Sequence, residues 1–340
     1  MCVYNTCRAL SALILSLAYI SYWKACFANP GVITPENQDQ FLASYPYDSL
    51  LYFPDRKCNT CGSVRVPRSK HCTVTGQCIA RFDHFCGWLN NDVGELNYRW
   101  FHTFLIMNFL ACFYGTYIYV MLLFGVVIEE NLLESVFLTT NGQHIPASPL
   151  IVFQYMISTH LLVIAQAFFL LAIGIMLFGF WSYHMYLTLR NRTTNETFKW
   201  DDVAKLVRII KLYRSNPTNK NPDDMKELYH RIYDDDEEDD EDEEEKNNEA
   251  EKEEAQDTQE KETQANGEQS TSVKSRKQKP VVPPAQRTIP ADKMWRYKQL
   301  LAVYDYVVKK KGTASTPPNI YSRGMIANLK EVIFPRAAYY

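Results

Sequence analysis

The chain has 340 residues, 36 Lys and Arg against 39 Asp and Glu, a net charge of −3 and a mean hydropathy of −0.28. Those averages describe a soluble protein of one or two domains, but they merge two opposites. Residues 234–245 are twelve consecutive acids, and most of 246–280 is Glu, Gln, Lys, Asn and Thr, so the remainder is far more apolar than the mean and the net charge identifies no partner.

In chain order, residues 9–27 form a first apolar stretch, interrupted by one Lys, and 1–28 is assigned as a first transmembrane helix. Arg8 followed by an apolar run also fits a signal peptide. Residues 101–128 and 150–187 contain no acid, Lys or Arg. Each exceeds the roughly 20 apolar residues that a bilayer core about 30 Å thick requires. Trp100, Phe101, Trp181 and Tyr183 sit near their ends, as interfacial aromatic belts do. The 150–187 stretch is long enough to begin with an interfacial or re-entrant piece. Arg56, Lys57, Arg65, Arg68, Lys70, Arg81 and Arg99 separate the first two stretches, and Arg190, Arg192, Lys199, Lys205 and Arg208 follow the third; residues 129–149 carry Glu129, Glu130 and Glu134 and no Lys or Arg. The excess of basic residues on cytosolic loops assigns 29–100 and 188–233 to the cytosol and 129–149 to the lumen, and argues against a cleaved leader. The sequons at Asn191 and Asn195 then face the cytosol and carry no glycan. Val203, Leu206, Val207 and Ile210 recur at helical spacing, giving either a helix packed on the cytosolic domain or one lying on the membrane surface. Residues 234–290 have too few apolar groups to fold and are assigned as a disordered acidic linker. Aromatic and aliphatic residues return over 291–340.

The predicted fold is therefore mainly α: multi-pass transmembrane helices, a small cytosolic zinc-bound cysteine-rich domain, and a helical, partly disordered C-terminal tail. That domain holds five of the nine cysteines, interleaved with His71 and His84. Such clustering in a long chain argues for metal ligation plus one reactive thiol over a disulfide framework. In Cys58-x2-Cys61-x9-His71-x6-Cys78 a knuckle supplies two thiolates, and a second turn supplies an imidazole and a third thiolate, a tetrahedral set suited to Zn2+. In Asp83-His84-Phe85-Cys86 a carboxylate, an imidazole and a thiol lie within four residues. A thiolate is the nucleophile, a nearby imidazole takes its proton, and a carboxylate orients the ring. Cys86 precedes Phe101 by fifteen residues, which lets it reach the membrane surface. The competing reading makes His84 and Cys86 further metal ligands, but four donors already complete one site. His160, His184 and Cys112, within the apolar stretches, read as interior packing residues. Cys2, Cys7 and Cys26 read as membrane-interface residues or as acylation sites.

The block 58–101 resembles the cysteine-rich domain of the DHHC-type protein S-acyltransferases (palmitoyltransferases). The shared frame is Cys58, Cys61, Pro67-Arg68, His71-Cys72, Cys78, Asp83-His84-x-Cys86, Trp88, Asn90-Asn91, Gly94, Asn97 and Phe101. Asn29-Pro30-Gly31 resembles the family's Asp-Pro-Gly, Thr193-Thr194-Asn195-Glu196 its Thr-Thr-x-Glu, and 319–332 its C-terminal aromatic-and-Asn motif. The resemblance implies that Cys86 takes a palmitoyl-type acyl group from acyl-CoA and passes it to cysteines of membrane-associated substrate proteins. It implies His84 as base, Asp83 as its orienting partner, Thr194 bracing Asp83 and Asn328 docking the tail. The lipid bilayer is the further partner, with the acyl chain among the spans; the endoplasmic reticulum or Golgi is the implied location, with the catalytic loop facing the cytosol. No basic, aromatic-interleaved face marks a nucleic-acid partner. The chain departs from the family twice. Typical members bind a second zinc through Cys72 and three further positions, held here by Thr75, Phe85 and Asp92, so one structural zinc is expected, with Phe85 filling the vacancy. The family also has at least four spans, which places the missing one before residue 9. The alternative to an active enzyme is a catalytically inactive, zinc-bearing membrane scaffold of the same family.

Overall fold

The computed structural model describes residues 2–54, 56–138, 142–215, 289–290, 293–309 and 317–336, with residues 225–226, 228–230 and 232. The expected acidic linker 234–290 lies outside these, apart from its last two residues. Helices dominate: α1 (Cys2–Phe27), α2 (Gln38–Ser44), α3 (Tyr98–Glu129), α4 (Pro149–Leu189), α5 (Thr194–Ser215), α6 (Met294–Lys309) and α7 (Met325–Ile333). Three two-stranded antiparallel hairpins accompany them: β1 (Lys70–Cys72) with β2 (Gln77–Ile79), β3 (His84–Cys86) with β4 (Asn91–Val93), and β5 (Val136–Leu138) with β6 (His144–Pro146). Among the described residues, three helices are long and apolar enough to cross a membrane: Thr6–Phe27, Tyr98–Glu129 and Pro149–Leu189.

The chain forms two compact units. One comprises Met1–Asp48, Tyr52–Lys199 and Asn319–Tyr340; the other comprises Ser49–Leu51 and Trp200–Pro318. Within the second, Val203, Leu206, Val207 and Ile210 of α5 are buried, as are Leu300, Val303 and Val307 of α6. The apolar stripe read from the sequence is thus a packing face inside a protein core.

In the first unit, α3 packs against both α1 and α4. Helix α4 starts with Ser148, whose hydroxyl accepts the Ile151 N–H, and with Pro149, whose fixed φ suits a first helical turn. Its backbone leaves helical geometry at His160 (φ −122°, ψ 31°), so the long third stretch is two helical pieces meeting at a kink. The α3–α4 crossing is tight: a Cβ at Gly174 would lie 2.9 Å from the Phe113 ring. At one end of this helical layer an apolar cluster gathers Ala25 of α1, Phe101, Phe104, Leu105 and Phe109 of α3, Leu177 of α4, Val332 of α7, and Cys86, Leu89 and Val93 of the second hairpin. The hairpin thereby caps the helical layer.

Two local devices fix that cap. The Asn91 amide donates to the Ala25, Cys26 and Ala28 carbonyls at 3.0–3.2 Å, satisfying acceptors that the C-terminus of α1 leaves open. Asn97 accepts the Gly94 N–H and donates to the Asp92 carbonyl, tying β4 to the start of α3. Gly94 itself is required by close approach, since a Cβ there would lie 2.5 Å from the Pro30 carbonyl oxygen. That carbonyl belongs to the Asn29-Pro30-Gly31 turn, in which Asn29 accepts the Gly31 and Val32 N–H groups and Gly31 adopts φ +103°.

Candidate active site

In β1–β2, His71 and Cys78 stand directly opposite each other, which sets an imidazole beside a thiol. The Cys58–Cys61 knuckle closes through the Gly62 N–H to the Cys58 carbonyl and the Cys58 N–H to the Ser63 carbonyl, both 2.8 Å. The four donor atoms of Cys58, Cys61, His71 and Cys78 lie within 4.8 Å of one another. Cys61 Sγ is 3.3 Å from His71 Nδ1, and Cys78 Sγ is 3.8 Å from Cys61 Sγ and 3.7 Å from His71 Nδ1. Tetrahedral zinc with ordinary bond lengths separates two sulfurs by about 3.8 Å and a sulfur from a nitrogen by about 3.6 Å, so the donor set fits the ion.

The second position, where no metal is expected, is closed by other means. Thr75 Oγ1 donates to Asp92 Oδ2 at 2.6 Å, and Phe85 packs on the buried group of Cys72, Ile79 and Phe82. Among the described residues Cys72 joins no set of three donors able to hold an ion.

Asp83, His84 and Cys86 lie on and just before β3, with Asp83 N–H donating to the Val93 carbonyl at 2.8 Å. Asp83 Oδ2 accepts His84 Nδ1 at 2.6 Å, which leaves Nε2 for the Cys86 sulfur. On its other side Asp83 meets the N-terminus of α5: the Thr194 N–H donates to Oδ1 at 2.7 Å and the Thr194 hydroxyl to Oδ2 at 3.0 Å. A helix start offers unpaired N–H groups and a favourable dipole to an anion. Thr193 and Glu196 complete that start as a capping box, each side chain accepting the other's N–H at 3.1 and 3.0 Å. The Thr193-Thr194-Asn195-Glu196 motif is therefore a helix N-terminus shaped to hold the Asp83 carboxylate.

Glu196 has a second task. Its carboxylate receives Arg68 Nε and one terminal nitrogen at 2.6 and 2.7 Å, a bidentate pair that is fully buried. Arg68 also donates to the Asn191 side chain and carbonyl, and lies against the rings of Tyr45 and Tyr321. The tail joins here: Glu331 Oε1 is 3.7 Å from Arg68 and accepts the Tyr45 hydroxyl, while the Asn191 amide donates to the Tyr321 carbonyl. Asn328, fully buried, donates to the Leu189 carbonyl at the end of α4 and so fixes α7 beside the turn that presents Thr194. Asn191 is itself fully buried in this network, so a glycan at its sequon is excluded by packing alone.

Electrostatics at the three residues are mutually consistent. Burial alone would depress His84; its hydrogen bonds to Asp83 and to the Cys86 sulfur outweigh that and lift it to about 9. Burial likewise raises the Cys86 thiol, but the His84 hydrogen bond and the Leu89 and Trp88 N–H groups bring it below the usual thiol range. Asp83 is held below the usual carboxylate range despite complete burial, mainly by His84, then by His184 and the Thr194 N–H. Both shifts run in the direction that favours a Cys86 thiolate beside a His84 imidazolium. Cys86 is 8% exposed and faces the apolar cluster at the end of the helices rather than open water.

The structure thus brings together Asp83, His84, Cys86 and Thr194, holds Asn328 one step behind them, and gathers Cys58, Cys61, His71 and Cys78 in a separate hairpin. It adds a residue that sequence reasoning set aside as interior packing: His184 Nδ1 lies 3.8 Å from Asp83 Oδ2. An ionisable side chain within an apolar stretch, nine residues before Thr193, was the available signal.

Residues 52–201 match the family model described as DHHC palmitoyltransferase. Similar proteins include palmitoyltransferase SWF1 of Yarrowia lipolytica, 31% identical over 195 residues covering 57% of this chain and 49% of the relative. Palmitoyltransferase swf1 of Schizosaccharomyces pombe is 32% identical over 202 residues, covering 58% and 51%. Palmitoyltransferase ZDHHC4 of Bos taurus is 29% identical over 192 residues, covering 56% of each chain. The chain spans about half the length of these relatives.

Proposed function

We propose that this chain, whose residues 52–201 match the DHHC palmitoyltransferase family, is a protein-cysteine S-acyltransferase working through Cys86. The observation that carries the reading is the Asp83–His84–Cys86 arrangement, with Asp83 braced by the N-terminus of α5 and the thiol lowered beside a raised imidazole.

In the first half-reaction the Cys86 thiolate attacks the thioester carbonyl of a fatty acyl-CoA. The carbon–sulfur bond to coenzyme A breaks, and the leaving thiolate takes the proton carried by His84. In the second, the acceptor cysteine gives its proton to His84 and attacks the acyl-Cys86 thioester, which returns Cys86 as thiolate and His84 as imidazolium. Asp83 keeps Nε2 of His84 directed at the sulfur. The apolar cluster around Cys86 suits an acyl chain, whose burial contributes about 0.8 kcal/mol per methylene.

Cys58, Cys61, His71 and Cys78 would hold one structural Zn2+, which supplies folding energy to a hairpin with little apolar core. The basic segments before α3 and after α4 support a cytosolic orientation for this face, where acyl-CoA and membrane-associated substrate proteins would meet it; the endoplasmic reticulum or Golgi membrane is the proposed location. Incubation of the full-length protein with labelled palmitoyl-CoA tests the reading. Wild type acquires hydroxylamine-sensitive label and Cys86→Ser does not; an unlabelled wild type with its metal bound refutes it.

A further inference from the structure

We propose that His184 is a positioning residue for this reaction: pinned by the Tyr98 hydroxyl, it walls the His84 ring and faces Asp83, keeping the Asp83–His84 pair aligned with the Cys86 sulfur. The inference rests on the acyl-transfer reading above.

Three observations carry it. First, His184 is 2% exposed and its Nδ1 sits 3.1 Å from the Tyr98 hydroxyl, so the first residue of α3 fixes the ring. Second, the same nitrogen lies 3.8 Å from Asp83 Oδ2, and donor atoms of Asp83, His84 and His184 all fall within 4.8 Å of one another. Third, the ring is part of the wall around His84. The two imidazole centroids are 5.6 Å apart, and Phe101 meets both rings edge-on at 5.3 and 4.9 Å.

The need for such a residue follows from the exposures. The Asp83 side chain is 1% exposed and anchored on one flank by Thr194, whereas the His84 side chain is 25% exposed. An imidazole that must alternately give and take a proton has to keep one nitrogen on the carboxylate and the other on sulfur. Thr194 secures the carboxylate but touches nothing of the imidazole in the hydrogen bonds it makes. His184, held from α3 while itself on α4, approaches the carboxylate at Oδ2 and stands beside the His84 ring. The groups facing the pair are Cys86 from β3, Tyr98 and His102 from α3, His184 from α4, and Arg81 from the turn before Asp83, whose guanidinium lies 5.8 Å from the Tyr98 ring.

The test uses the full-length protein in lipid nanodiscs. Alkylation of Cys86 by iodoacetamide is followed by peptide mass spectrometry from about pH 5 to about pH 10, in parallel with labelling by palmitoyl-CoA. In His184→Phe and Tyr98→Phe the acid limb of the alkylation profile moves up by about one pH unit. On that limb, at pH values below the wild-type midpoint, they become up to about tenfold slower than wild type, with convergence at high pH. His184→Asn, whose amide nitrogen can stand where Nδ1 stands, keeps the wild-type profile. Unshifted profiles in both ring variants overturn the proposal, and so does a loss equal at every pH, which a merely structural role produces. If wild type is alkylated at Cys86 but takes up no acyl group, the acyl-transfer reading fails, and the displacement of the limb still decides the positioning role.

Discussion

The β1–β2 and β3–β4 hairpins each pair two three-residue antiparallel strands and each carries cysteine, yet their sulfurs meet different surroundings. In the first, Cys78 Sγ lies 3.8 Å from Cys61 Sγ and 3.7 Å from Nδ1 of His71, its partner across the strands. Thiols and an imidazole converge on one point there, and Cys61 stays exposed. In the second, a single sulfur meets a single imidazole whose far nitrogen is committed to a carboxylate. The residue types are nearly the same. What differs is the count of sulfurs around the imidazole and the presence of Asp83 behind it, which turns a metal-binding chemistry into a proton-transfer one.

The largest expected effect breaks the first hairpin. Cys61→Ser, or a strong chelator, should reduce zinc from one per chain to none. It should abolish the ordered β1–β2 hairpin, because a structural zinc contributes on the order of 10 kcal/mol to folding. Metal analysis with limited proteolysis checks this; two zincs per wild-type chain would contradict the single site. The next effect concerns the second hairpin. Asp83→Asn should slow acyl-enzyme formation by roughly 10²–10⁴-fold, the usual contribution of a positioned acid–base group. The sign of its pH dependence is fixed as well. Asp83 raises His84, which at about 9 sets the basic limb of the rate profile, since above it no proton remains for the leaving thiolate. Losing Asp83 should move that limb to lower pH, and an unmoved limb would assign the upper pKa to another group.

The support behind the second hairpin should respond more modestly. Glu196→Gln leaves Arg68 buried with a weakened partner. Breaking such a pair costs about 3–5 kcal/mol, and the lower end is expected because Glu331 remains 3.7 Å away. Chemical denaturation measures it. Acyl-enzyme formation should fall as well, because the same carboxylate caps the helix that holds Asp83.

How much of this was legible follows from the range of the interactions. The three long apolar stretches, the four metal donors and the Asp83-His84-x-Cys86 run are local in the chain, and spacing alone exposes them. The kink at His160, the Arg68–Glu196 pair and the place of His184 were not readable. The last two depend on contacts across large sequence separations, 128 residues for Arg68 and Glu196 and 101 for Asp83 and His184. Sequence also read Cys86 as reaching the membrane surface. What it did not show is that the sulfur is buried in one apolar cluster with Phe101, Leu105 and Ala25, because the second hairpin folds onto the ends of the helices.

The smallest effect sharpens the comparison most, because it asks what replaces a metal where the ligands are gone. Thr75 and Asp92 link the turn between β1 and β2 to β4 through one 2.6 Å hydrogen bond, with Asp92 1% exposed. If this bond and the packing of Phe85 on Cys72 stand in for a second ion, Thr75→Val should cost about 1–3 kcal/mol, the penalty for leaving a buried acceptor unsatisfied. The double variant Thr75→Val with Asp92→Leu should recover much of that loss, since both partners become apolar together. Zinc should remain at one per chain in both, and chelator sensitivity should stay with Cys58, Cys61, His71 and Cys78. A double variant no more stable than the single one would show that Asp92 serves something other than this bond. Its second oxygen, Oδ1, has no hydrogen-bond partner among the described residues, and that oxygen would be the place to look.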